Sequence, residues 1–278
     1  MKILNHRLHQ DDGTPFPFER SPNQGGEVEH ELLVMHYTAG RSAESSVAWL
    51  TNPESRASAH LVIGRDGSIT QLVAFNRVAW HAGVSSWLAR SGVNQFSLGI
   101  ELDNAGALTC HDGRWRAWFG QEYEPPEVIE AVHKHQTEPK GWHLFTEPQL
   151  EAAVEVAALL VGRYGLREVV GHEDVAPHRK EDPGPVFPLS SFRSKVLGRQ
   201  ENEPEVHETT TSLNIRQGPG TEFATLPGSP LPPGTRVEIL EAQERWRFVE
   251  VLAPAGEAAD LQGWVHGGFL RRVGGEGG

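Results

Sequence analysis

The run Leu32-Leu33-Val34-Met35 is apolar without a break, the mark of a strand buried on both faces. It stops at His36. Thr38-Ala39-Gly40 reads as a turn, and Ser42 caps a short helix over residues 43–50 that ends before Asn52-Pro53. Residues 59–63 and 68–73 flank Arg65-Asp66-Gly67, where Asp-Gly supplies the positive backbone dihedrals of a tight hairpin. Residues 97–102 form another strand, in which Glu101 sits between Ile100 and Leu102 and therefore on the opposite face. A carboxylate there is costly to bury unless it has a partner or faces a polar cleft, and a cleft position is expected. Residues 103–147 are aromatic, charged and proline-bearing without a period, which predicts a long elaborated loop, either walling a groove or packing. Leu150, Val154, Ala157, Leu160, Val161 and Tyr164 share one face of a helix over 148–164, which Gly165 ends. A short strand at 168–171 follows. Residues 11–30, rich in Pro, Gly and charge, read as an irregular lead-in. The fold class is α/β: a mixed central sheet with packed helices.

The pattern changes near residue 199. The first domain is expected to span 1–198, and the acidic, proline-bearing stretch 199–206 to be a linker. Residues 207–273 then show short strand patterns beginning at Leu213 and continuing at 237–240, 246–251 and 263–266, with turn residues between them. That spacing predicts a small β-barrel.

At 278 residues and a net charge of −12, the chain is large enough for one sizeable domain plus a small one. It lacks the basic balance that nucleic acid as a main partner would demand. The single cysteine, Cys110, excludes an internal disulfide and a thiolate-rich zinc site; it reads as a small buried or loop residue. No stretch is long and apolar enough to span a bilayer. Residues 1–12 lack the apolar run of a secretory signal, so a cytosolic product is expected, with any delivery to a cell wall by another route.

Chemistry concentrates in residues 172–184, where His172, Lys180 and Asp182 share a segment that Pro177, Pro183 and Gly184 keep from being a regular helix. Histidine and aspartate ligate zinc, and a catalytic zinc takes three protein ligands, so His36 is the proposed third. The plain alternatives are a solvated loop and a hydrogen-bonded core histidine.

Beyond these spacings, the ordered motifs Val34-Met35-His36-Tyr37-Thr38, Ser58-Ala59-His60, Arg65-Asp66-Gly67, Ala79-Trp80-His81-Ala82-Gly83, Gly99-Ile100-Glu101-Leu102, Gly171-His172-Glu173-Asp174-Val175-Ala176-Pro177, Arg179-Lys180 and Asp182-Pro183-Gly184 resemble the zinc-dependent N-acetylmuramoyl-L-alanine amidases. The resemblance runs from about residue 20 to residue 192. It implies His36, His172 and Asp182 as ligands of Zn2+, Glu101 as the carboxylate assisting the attacking water, and Lys180 as the cation facing the tetrahedral intermediate. Phage relatives place a tyrosine where this chain has Ala59, which aligns the chain with the glutamate-using branch. Arg65, Trp80 and His81 fall at substrate-cleft positions, although His60 and His81 could equally be structural. His133, His135, His143 and His178 read as surface residues. Leu213-Asn214-Ile215-Arg216-Gln217-Gly218-Pro219-Gly220 and Gly263-Trp264-Val265 resemble bacterial SH3-like domains, which implies possible wall binding; residues 254–261 depart from compact members. The expected partners are peptidoglycan or muropeptides. The competing function is a non-catalytic muropeptide-binding protein.

Overall fold

The computed structural model describes residues 1–198, 206–252 and 261–273. The expected linker lies outside the described residues except for Val206, as does the 254–261 stretch except for Leu261. The chain divides into two compact units, residues 1–84 with 92–201 and residues 85–91 with 202–278.

The first unit is organised by a five-stranded sheet in the order Glu168–Gly171, Leu32–Tyr37, Ser97–Leu102, Leu61–Ile63, Ile69–Gln71. The first four strands run parallel and the last is the antiparallel arm of the expected hairpin. Successive side chains point to opposite faces of a strand, and here the two faces have different tasks. Leu33, Met35, Leu98, Ile100, Leu102 and Val169 form one core with Val156, Ala157 and Leu160 of the helix Glu147–Tyr164 and with Phe192 and Val196 of the helix Leu189–Leu197. The alternate residues lie on the other face, where Val34 pairs with Gly99 and His36 with Glu101. Gly165 ends the longer helix in the left-handed region, as its position predicts. The helix Ala43–Leu50 begins at Ser42 in a reciprocal cap with Ser45 and packs Val47 and Leu50 with Val62, Leu72 and Val73.

Several elements differ from expectation. Residues 103–147 are no loop: they contain a second, antiparallel sheet in the order Glu122–Tyr123, Arg114–Arg116, Ala107–His111, Pro139–His143, Val128–Val132. Its strands are two to five residues long. Much of the sheet stays open to solvent, Thr109, Cys110 and His111 included, so no buried alternation is written along it. Cys110 is an exposed strand residue. The lead-in contains strand Gln24–Glu27, paired with Arg77–Ala79, and is preceded by a hairpin of Lys2–Leu4 and Arg7–His9. The strand Leu32–Tyr37 runs two residues past the apolar run, with His36 near its end. A helical turn, His172–Val175, fits ahead of Pro177 because proline constrains only its own turn and the residue before it.

The second unit holds an antiparallel sheet in the order Gln262–His266, Trp246–Val251, Arg236–Gln243, Val206–Thr209, Leu270–Arg272. Leu213, Ile215, Leu231, Val237, Val249, Val265 and Leu270 form its core. The stretch that opens at Leu213 makes isolated bridges, Leu213 with Leu231 and Arg216 with Thr225 and Trp264, instead of the expected strand. In the same unit, the guanidinium of the fully buried Arg247 lies 4.6 Å from the Trp87 ring centroid. No helix among the described residues is long and apolar enough to cross a membrane.

His60 joins the central sheet to its flank. It is fully buried, Nε2 donating to the Arg77 carbonyl at 2.9 Å while Nδ1 accepts from Gly99 N–H at 3.0 Å. Both ring nitrogens are thus bound to backbone, the structural alternative. Burial, reinforced by His30, lowers its pKa from 6.5 to about 3. Above pH 6.5 the ring is neutral in folded and unfolded chains alike; below it the unfolded chain takes up the proton first, so stability falls as pH drops toward 3. Urea unfolding between pH 8 and 4 should show this decline. His60→Gln should reduce its steepness and cost about 1–3 kcal/mol at neutral pH, the scale of lost buried hydrogen bonds.

Candidate functional site

Three donor atoms converge where the parallel strands end. His36 Nδ1 lies 2.9 Å from His172 Nδ1 and 2.9 Å from Asp182 Oδ2, and His172 Nδ1 lies 3.0 Å from the same oxygen. The sheet register explains the meeting: Gly171 pairs with Met35, so His172 emerges beside His36. The loop then turns back, with Glu173 N–H donating to the Asp182 carbonyl at 2.8 Å, which returns Asp182 to the two imidazoles. All three residues are buried. Two imidazoles and one carboxylate within hydrogen-bond distance of one another form a group suited to a divalent ion.

Burial and then the neighbouring His172 lower the His36 pKa to about 4. Burial alone would raise Asp182, but the two imidazoles packed against it outweigh that and hold this carboxyl far below the usual range. Glu101 behaves in the opposite way. Its burial, helped by the charge of Asp182 and opposed by Lys180, raises it well above an ordinary glutamate. Its Oε2 is shut off from solvent and has no hydrogen-bond partner among the described residues. A buried unpaired carboxylate oxygen one strand away from His36 is costly unless a ligand or a proton uses it.

The other residues expected at the site are placed as follows. Lys180 is close enough for its charge to act on both Glu101 and His36. Trp80 is 38% exposed and is held by Ser58, whose Oγ accepts from the Trp80 N–H at 2.8 Å. His81 is buried behind His36, Nδ1 to Nε2 at 3.0 Å. Arg65 donates through Nη1 to the Leu144 carbonyl at 3.0 Å, just before the long helix.

Further residues brace the site and were not singled out by sequence. Arg179 Nη2 donates to the carbonyls of Ala82 at 2.6 Å and Val84 at 3.0 Å. Glu173 Oε2 accepts from His133 Nε2 at 2.7 Å and from Gly184 N–H at 3.2 Å, while Lys134 Nζ lies 2.9 Å from its other oxygen. Lys140 and Gln136 reach Glu181 at 2.9 and 2.8 Å. Residues 133–140, at the turn of the second sheet, therefore clamp the loop that carries Asp182. His133 and His143, expected on the surface, are buried: His133 binds Glu173, and His143 Nδ1 accepts from Ala105 N–H at 3.2 Å. Partners forty residues away in sequence leave no local pattern; a His-Lys pair facing a Glu-Asp pair is the only trace. Gly184, at φ +78°, is required because a Cβ there would come within 2.8 Å of the Trp142 ring.

The N-acetylmuramoyl-L-alanine amidase family matches residues 26–185. The chain is 32% identical over 177 residues to the N-acetylmuramoyl-L-alanine amidase AmiD of Escherichia coli (strain K12), covering 60% of this chain and 54% of that protein. It is 34% identical over 148 residues to the 1,6-anhydro-N-acetylmuramyl-L-alanine amidase AmpD of Enterobacter cloacae, covering 52% of this chain and 60% of that one. The chain thus spans somewhat over half the length of these relatives. A crystal structure of an Se-Met AmpD derivative is 27% identical with a TM-score of 0.49, covering 70% of this chain and 99% of that one. The matched segment holds His36, Glu101, His172, Lys180 and Asp182, and the chain belongs to the N-acetylmuramoyl-L-alanine amidase family.

Proposed function

We propose that the protein is a zinc-dependent amidase that hydrolyses the amide bond between N-acetylmuramic acid and L-alanine in peptidoglycan or its fragments. The observation that carries this reading is the buried His36, His172 and Asp182 group beside a buried, unpaired Glu101 oxygen. The donor set fits zinc: the Asp182 carboxyl stays ionised, and burial keeps His36 neutral, the forms in which each ligates. When bound, zinc supplies Lewis-acid polarisation of the scissile carbonyl and of water.

The chain's own residues supply the rest. Glu101, whose affinity for a proton is raised by its surroundings, is placed to take the proton of the attacking water and return it to the leaving amine of L-alanine. Lys180 offers a positive charge to the oxygen that becomes negative as the carbonyl turns tetrahedral, a charge present only in the transition state. In this reading residues 207–273 form an SH3-like domain that holds the enzyme on polymeric wall material. The relatives include an amidase named for 1,6-anhydro substrates, so soluble anhydro-muropeptides and intact sacculi are the two substrates to compare.

His172→Ala should lose both zinc content, read by atomic absorption, and release of stem peptide. A zinc-free but fully active variant would overturn the ligand assignment. Glu101→Ala should keep its zinc and its fold while turnover falls by roughly a hundredfold or more, the scale for removing a general base. Muropeptide binding without any turnover in the zinc-loaded wild type would instead favour the non-catalytic function. Deleting residues 199–278 should spare hydrolysis of a soluble muropeptide but impair that of insoluble sacculi, because tethering raises local substrate concentration without touching the bond; the separation of the two rates is the readout.

A further inference from the structure

We infer that His81, carried with Ala82 on one short loop, is a positioning residue that fixes His36 in the tautomer able to ligate, while the Ala82 carbonyl does the same for His172. The inference rests on the metal-site reading above and adds residues that reading does not use.

The proton positions follow from hydrogen-bond capacity. Ser97 Oγ is 2.7 Å from the Val93 carbonyl, which can only accept, so the single hydroxyl proton is directed there. Ser97 Oγ is also 3.2 Å from His81 Nε2. With its proton committed, the serine oxygen must accept, and His81 carries its hydrogen on Nε2. A neutral ring has one such hydrogen, so His81 Nδ1 is bare and accepts from His36 Nε2 at 3.0 Å. That places the His36 hydrogen on Nε2 and leaves Nδ1 bare, facing His172 Nδ1 and Asp182 Oδ2. For His172 the step is shorter: Nε2 lies 3.1 Å from the Ala82 carbonyl and must donate, so its Nδ1 is bare as well.

The loop itself is anchored. Asn94 Oδ1 accepts from the backbone N–H groups of His81 at 3.2 Å and Ala82 at 2.7 Å. Gly99, on the sheet face that carries the site, leaves room for the His81 ring: a Cβ there would lie 2.5 Å from His81 Cγ. Both nitrogens of a buried ring are thus committed to the protein interior, which suits support of the site better than contact with substrate.

The test is zinc affinity of the full chain, read by competition with a chromophoric chelator, with unfolding of the metal-free protein as the control for folding. His81→Phe keeps a planar ring but cannot accept from His36, and should weaken zinc binding by roughly 10- to 100-fold, the usual scale for losing such a partner. His81→Gln can accept through Oε1 and donate through Nε2, and should recover most of the loss. Ser97→Ala should weaken zinc binding more mildly and add little to His81→Phe, because both act through one chain of hydrogen bonds. Unchanged affinity in a folded His81→Phe protein, or a Gln variant no better than Phe, would overturn the inference. Should His81→Phe fail to fold, Ser97→Ala decides, and unchanged affinity there would overturn it equally. If His172→Ala also kept wild-type affinity, the ligand assignment would fail, and not merely the role of His81.

Discussion

Holding two imidazole nitrogens and a carboxylate oxygen within about 3 Å of one another, out of water, is the demand that the rest of the first unit answers. Lone pairs so close repel unless something positive lies among them, and burial removes the solvent that would screen them. The backbone must therefore be stiff where the donors attach. His36 sits in a strand hydrogen-bonded on both sides, and His172 follows directly from the strand at its edge. Asp182 lies on an irregular segment, so it is the donor that requires outside support, and the Glu173, His133 and Lys134 group provides it.

The same alternation that builds the core also builds the site. Residues 33 and 35 and residues 98, 100 and 102 face the helices, which leaves 34, 36, 99 and 101 together on the opposite face. Glu101 is thus placed beside His36 by pleat and register alone. A one-residue slip between the two strands would send Glu101 into the apolar core. Burying Leu98, Ile100 and Leu102 against the long helix is consequently what keeps the carboxylate on the face that carries His36.

Much of this was legible in the chain. Apolar runs marked the parallel strands, Asp-Gly marked the hairpin, and the charge of Glu101 inside an apolar strand marked the face opposite the core. The motif-bearing segments contain every residue of the proposed chemistry. What stayed hidden depends on partners distant in sequence. The second sheet has short, half-solvated strands whose pairing no local period reveals. His133 and His143 look like surface histidines until the fold brings Glu173 and Ala105 to them. Arg65 and His81 hold cleft positions by resemblance; their partners, the Leu144 carbonyl for one and His36 for the other, are distant in sequence and appear only in the fold.

Those hidden contacts bear on chemistry as well as on packing. A metal-ligating imidazole needs its lone pair on a particular nitrogen, and in water the two tautomers interconvert freely. Inside this unit the choice is made by atoms that never touch the ligand position: the Val93 and Ala82 carbonyls, which can only accept. Carbonyl direction is set by backbone conformation, here by the turn that Asn94 anchors. The readiness of the site to take an ion is in this way a property of a loop whose side chains, His81 apart, have no ligand chemistry of their own. A substitution at Asn94 that merely lets the loop swing would be felt at His36 and His172 together, because one turn supports both rings.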